Sequence, residues 1–597
     1  MKEIRKRTDV KKEESWAVED LYPDNDACRA GAARLGEMLT QFGTYKGTLD
    51  KNGKNIWNAL EAYSAMGEVL ERVYVYANQR LHENMGDPVQ QKLAGEMDVL
   101  QNRFGQETSW LEPEILKIPE ETLANAYKEA PELEKYRVFI DRILREKEHT
   151  LSEKEEEVLA KVGELGQAAS NIFAMFNNAD LTFPDVENEK GEKVPLTHGR
   201  YGAYLQGKDR TLRKNAFQAL YSQYAHFINT LGATYDANAR QAAFFAKERN
   251  FNSALEAALN ASAIPVEVYD NLIQAVHDHF PAMDRYMALR KKCLGVEELH
   301  MYDVYTPIVE DYDLEVPFEE AKEIVKKGLA PLGEDYIALL EEGFANRWID
   351  IYENEGKRTG AYSWGAYGVH PYVLLNYQEN LDSVFTLAHE MGHALHSWHS
   401  DKAQDYIYAG YKIFVAEVAS TCNEALLIHY LIGQAKEAKE KAYLINYFLE
   451  QFRTTLFRQT MFAEFEKESH QIVGEGGALN GEILSGLYYK LNQAYYGENI
   501  ISDEEIRCEW ARIPHFYTPF YVYQYATGFS AAIAISGKIL AGEPGIVEKY
   551  KAFLSGGSSK DPIDLLKICG VDMTKKEPVE EALQIFEQYL AELEALL

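Results

Sequence analysis

From Asp26 to about Leu165, apolar residues recur every three or four positions with few breakers, as in WNALEAYSAMGEVLERVYVYANQRL. That spacing predicts a run of amphipathic helices. The first break is LTFPDVENEKGEKVPLT, residues 181–197, where β-prone ends flank a polar, Gly-containing centre at Glu189–Glu192. This is the pattern of a β-hairpin. Helical spacing then resumes and includes an N-cap and proline start at Ser262-Ala263-Ile264-Pro265. A second β signal, GAYSWGAYGVHPYVLLNY at 360–377, is rich in Gly and aromatic residues and ends in an extended apolar run. After Lys402 the helical pattern continues to the C-terminal EPVEEALQIFEQYLAELEALL, and no repeat of 20 to 50 residues interrupts it. The expected fold class is mainly α with a small β-sheet.

Chemistry concentrates just after the second β signal. NLDSVFTLAHEMGHALHSWHS offers Asn380 and Asp382 as N-caps and Val384, Leu387, Met391 and Leu395 as an apolar face, so it reads as a helix. On that helix His389 and His393 stand four apart, about 40° round the axis, and both imidazoles can reach one ion. Glu390, a step further round, faces the open coordination position, where a base can take the proton of an attacking water. A strand lying beside such a helix can bind an extended peptide through main-chain hydrogen bonds, independently of side-chain identity.

A catalytic zinc takes three protein ligands and leaves one position open, so a third ligand is required. His396 shares the face of His389 but lies about 10 Å further along the axis, too far to share the ion unless the helix breaks. It is expected behind the metal or facing substrate. His399 has the spacing of HExxHxxGxxH, yet His396 occupies the position where that pattern needs a turn-forming glycine. The remaining candidate is Glu417 in YKIFVAEVASTCNEALLIHY, on a second periodic helix that a polar connection can fold back against the first. Its small, apolar neighbours are an odd setting for a surface carboxylate. Glu424, seven residues on and on the same face, can accept a hydrogen bond from a ligand imidazole and fix its tautomer.

Composition narrows the partners. At 597 residues the chain exceeds the size of one hydrophobic core, and 46% hydrophobic with 26% charged residues is globular. A net charge of -32, without a large Lys/Arg run, disfavours nucleic acid and anionic membrane as partners. The basic N-terminus lacks an apolar signal segment and no long uncharged apolar window follows, so a cytoplasmic location is expected. The five scattered cysteines, without CxxC, suit a reducing compartment as buried thiols. GEGG at 474–477 and Gly556-Gly557 lack the form of a phosphate loop and read as turns.

Taken in order, HEMGHALH, FVAEVAS and RIPHFYTPFYVYQYATG resemble the thimet oligopeptidase/oligoendopeptidase F family of zinc peptidases, and the likeness extends over nearly the whole chain. FLSGGSSKDPIDLLKICGVDM adds a resemblance to the oligoendopeptidase F branch. The resemblance implies a helical ellipsoid with a deep substrate channel and a zincin-like core. It also implies one Zn2+ held by His389, His393 and Glu417, with Glu390 as general base and short unfolded peptides as substrates. Of the C-terminal segment it implies His515 and a tyrosine as hydrogen-bond donors to the oxyanion. Tyr521 is preferred, then Tyr517, with Tyr525 open. The expected division is an N-terminal helical domain (1–115), a helical segment ending in a hairpin (116–198) and a catalytic domain (199–597). A carboxypeptidase of the same ligand class, or an inert helical metal-binding protein, are the alternatives.

Overall fold

The computed structural model describes residues 4–309 and 314–597. Helices make up 72% of the chain, and the mainly α expectation holds. The predicted N-terminal run becomes helices at Asn25–Phe42, Gly53–Glu83, Pro88–Thr108, Leu111–Leu116, Glu120–Glu129, Arg137–Arg145 and Glu153–Gly166. The C-terminal segment is a helix over Glu577–Leu596. Among the described residues the strands are β1 (Val186–Glu187), β2 (Lys193–Val194), β3 (Ile349–Asp350), β4 (Tyr362–Trp364) and β5 (Tyr372–Leu374). No described helix is long and apolar enough to cross a membrane.

Contacts group the chain into two compact units, each made of three stretches. The first comprises Met1–Glu148, Leu314–Tyr430 and Ile535–Gly570, and the second His149–Asp313, Leu431–Ala534 and Val571–Leu597.

In the first unit β4 pairs antiparallel with β5, and β5 parallel with β3, in the order β3-β5-β4. The 360–377 segment thus supplies two strands rather than one, joined through a turn at Gly368 (φ 76). β3 carried no alternating pattern because both its residues are buried. Trp16, Val73, Leu93, Tyr372 and Leu374 form the core on which the sheet rests. A buried ion cluster fixes its far edge: Asp350 on β3, 1% exposed, accepts from Arg7 at 2.7 Å and lies 2.7 Å from the Nζ of buried Lys357. Such a cluster specifies geometry, because removal of one member leaves an uncompensated buried charge.

In the second unit β1 and β2 form the hairpin expected at 181–197, shortened to two residues per strand around Gly191 (φ 75). The helix expected to start at Ser262 begins at Val266, with Pro265 as its N-cap residue and a left-handed turn at Ala263 (φ 52). The buried side chains of Tyr235, Tyr269 and Tyr286 run through the core of the unit.

Glu450 joins two fully buried arginines there. Its carboxylate accepts from Arg290 at 3.0 Å, Arg453 at 2.6 Å and the Tyr286 hydroxyl at 2.6 Å. Burial works against the charge, but Arg453 and Arg290 outweigh it and hold the carboxyl at about 2. A folded value below the unfolded one gives stability that is complete above about pH 4.5 and is lost as the pH falls toward 2. The shift corresponds to about 3 kcal/mol. Glu450→Gln is therefore expected to cost about 3 kcal/mol at pH 7 and much less near pH 2, as read by denaturant unfolding at both pH values. An equal loss at the two would remove the ion-pair account.

Candidate metal centre

The helix carrying His389 and His393 spans Leu381–Ala403, and Asn380, not Asp382, caps it by accepting the Ser383 N–H at 2.9 Å. Val384, Leu387, Met391 and Leu395 are buried as the apolar periodicity requires. The second helix spans Ile413–Gln434, after a short helix at Tyr406–Ala409.

Two residues let these helices meet. A Cβ on Gly392 would lie 2.6 Å from the Ser420 Cα and 2.8 Å from the Ala419 carbonyl oxygen, so the backbones touch where a side chain would stand. Asn423, fully buried, donates to the Ala388 carbonyl at 3.0 Å and accepts from the Tyr336 hydroxyl at 3.0 Å, which ties the second helix to the first. Neither role was legible from the motif. The signals were a glycine inside a helical pattern and a lone amide in an apolar run.

At this crossing His389 Nε2 and His393 Nε2 each stand 3.4 Å from Glu417 Oε2. This is the one group of three ligand-type side chains among the described residues whose atoms could hold a metal ion. The spacing tests the fit. It is longer than a typical N–H···O bond of about 2.9–3.0 Å. It matches the edge, about 3.3–3.4 Å, of a tetrahedron around an ion with ligands at about 2.0–2.1 Å. His389 Nδ1 lies 3.0 Å from Glu424 Oε1. With that nitrogen donating, Nε2 presents its lone pair toward Glu417. Ser420 Oγ donates to Glu417 Oε2 at 3.0 Å and orients the carboxylate.

The electrostatics of the site have the same origin. Burial disfavours the His389 imidazolium, yet the bonds to Glu417 and Glu424 raise it well above the ordinary histidine value. Burial likewise opposes the Glu417 charge, but His389 and His393 hold it well below the usual carboxylate range. Burial raises the Glu390 carboxyl, with the two histidines opposing, which moves a base toward the range useful near neutrality.

His396 is 1% exposed and stacks on Tyr411 at 3.8 Å, so it is a packed core histidine and does not face substrate. His399 stacks on Tyr336 at 6.4 Å, outside the ligand group as expected, since the helix continues without a glycine turn.

His515, Tyr517 and Tyr521 belong to the second compact unit. His515 is exposed and lies parallel to the Tyr521 ring at 6.0 Å, with its Nε2 3.5 Å from the Tyr525 hydroxyl. Tyr517 instead stacks on Phe173 at 4.4 Å. Residues 514–517 form one turn of 3-10 helix and the following helix starts at Tyr523, so Tyr521 sits in the connection between them.

The model of peptidase family M3 matches residues 203–585, and that of oligopeptidase F matches residues 114–183. Oligopeptidase PepF of Bacillus subtilis (strain 168) is 46% identical over 99% of this chain and 88% of its own length. Group B oligopeptidase PepB of Streptococcus agalactiae serotype III (strain NEM316) is 39% identical over 99% of this chain and 98% of its own. The crystal structure of oligoendopeptidase-F from Enterococcus faecium superposes with a TM-score of 0.74 at 41% identity, covering 95% of this chain and 98% of that one. With a helix crossing that gathers two histidines and a glutamate, and matches spanning almost all of its length, the chain belongs to peptidase family M3.

Proposed function

We propose that the chain is a zinc-dependent oligoendopeptidase that cuts internal bonds of short, unfolded peptides. The observation that carries the proposal is the convergence of His389, His393 and Glu417 at the edge lengths of a tetrahedral site, with Glu390 beside it. One Zn2+ held by those three side chains would polarise the scissile carbonyl and acidify an attacking water.

The chain's own groups do the rest. Glu390 accepts the water proton and passes it to the leaving amine. Glu424 holds His389 in the tautomer that keeps Nε2 available. β4 is the outer strand of its sheet, with a strand partner on one side among the described residues, so a substrate backbone can add to it as a further strand. That mode needs no particular side chain, which suits a peptidase of broad specificity. His515 and Tyr521 serve as neutral donors to the oxyanion that develops on the carbonyl. Tyr517, whose ring stacks on Phe173, is the second candidate donor after Tyr521.

In chain order, residues 1–115 supply an N-terminal helical domain, 116–198 a helical segment ending in the hairpin, and 199–597 the catalytic domain. The chain is placed in the cytoplasm, a reducing setting that suits five cysteines of which none is paired.

The deciding experiment uses the purified, metal-replete protein and an internally quenched peptide blocked at both ends. Cleavage is expected, with loss on chelation and recovery on adding Zn2+. Intact blocked peptide beside trimming of an unblocked one would overturn the endopeptidase reading in favour of a carboxypeptidase.

A further inference from the structure

Residues 513–525 carry an exposed His515 and half-buried Tyr521 and Tyr525 on a buried frame of Phe516, Phe520 and Val522. The frame is pinned at two points. Phe516 is fully buried against Phe465 at 5.1 Å and Phe462 at 5.4 Å, and its carbonyl accepts from Asn238 at 3.1 Å. Phe520, 3% exposed, packs on His470 at 4.7 Å and on Tyr269 at 6.0 Å.

The second pin is strained. Phe520 has φ 59, a left-handed conformation in which the Cβ of a bulky residue crowds its own backbone. Something must hold it there, and strain of this kind gathers at functional segments. The Phe520 N–H donates to Glu466 Oε1 at 2.9 Å. Glu466 lies on the helix Arg458–Gly474, is 0% exposed, and its other oxygen has no hydrogen-bond partner. A carboxyl buried in an aromatic core is costly, and its one hydrogen-bond partner is the Phe520 amide.

We propose that Glu466 is a positioning residue: by accepting the Phe520 N–H it holds the left-handed turn that sets His515 and Tyr521 side by side. The inference rests on the reading above that those two residues serve the reaction. Burial pushes the Glu466 carboxyl up to about 8, with the Phe520 N–H opposing, so at neutral pH it accepts as a neutral acid. Glutamine has the same shape, charge and acceptor, and leucine has the shape without the acceptor.

The test compares Glu466→Leu with Glu466→Gln on a blocked peptide. Leucine is expected to lower kcat at least about tenfold with KM within about twofold and metal content unchanged, and glutamine to keep kcat within about threefold. A wild-type kcat in the leucine variant, or a glutamine variant as slow as leucine, overturns the proposal. Tyr521→Phe and His515→Gln are measured alongside. If neither lowers kcat, it is the role of those side chains that fails. Amide hydrogen exchange of Phe520 in the wild-type protein then still decides whether Glu466 holds the turn. It also decides the matter should the leucine variant not fold: slow exchange supports the bond, and exchange at the rate of an exposed loop removes it.

Discussion

Glu390→Gln is expected to keep its metal and lose roughly 10²-fold or more in peptide hydrolysis. Glutamine preserves the size and the buried position of Glu390, which is not among the three side chains whose atoms could hold an ion. What it removes is the carboxylate proposed to take the water proton beside the metal site. The loss belongs in kcat rather than KM, because the proton moves only in the transition state. Steady-state kinetics paired with metal analysis checks this. A variant that retains metal and cleaves at the wild-type rate would show that the group does not act as a base, and one that loses the metal would show that the residue holds the site together.

Gly392→Ala should act by a different route, lowering activity through weakened metal binding rather than through loss of a proton acceptor. In an ordinary helix interior this exchange gains about 1 kcal/mol of helix propensity. Here the new methyl would lie 2.6 Å from Ser420 Cα and 2.9 Å from its nitrogen, both backbone atoms that no rotamer change can move aside. Overpacking of that kind costs about 1–3 kcal/mol, so the clash outweighs the propensity gain. The helices must separate, which carries Glu417 away from His389 and His393. A lower melting temperature and at least about tenfold weaker metal binding are expected by thermal unfolding and metal titration. Unchanged affinity with a raised melting temperature would refute the close-crossing account.

Local patterns carried most of the fold. The metal helix, its apolar face and its N-terminal boundary were legible, because spacing at three and four and a capping side chain are properties of neighbouring residues. Where the expectation slipped, a non-local partner was the reason. The 360–377 segment divides into β4 and β5 because β5 is completed by β3, whose two buried residues have no alternation to betray them. His396 presented the same face as His389, yet its packing on Tyr411 keeps it in the core. Glu466 gave no sign at all, since a glutamate on a helix is ordinary until the helix is buried beneath a turn that closes 54 residues later.

The sequence by itself determined which side chains can bind a metal and act as a base, because the four-residue separation of His389 and His393 fixes their geometry within one helix turn. It also determined the helical class, the hairpin and the net negative charge. Only the tertiary structure decided that Glu417 meets both histidines at 3.4 Å, that Glu424 orders His389, and that Gly392 is the point of contact. Those facts depend on how closely two helices approach, a distance set by packing between residues far apart in the chain, to which a periodicity read along one helix is blind.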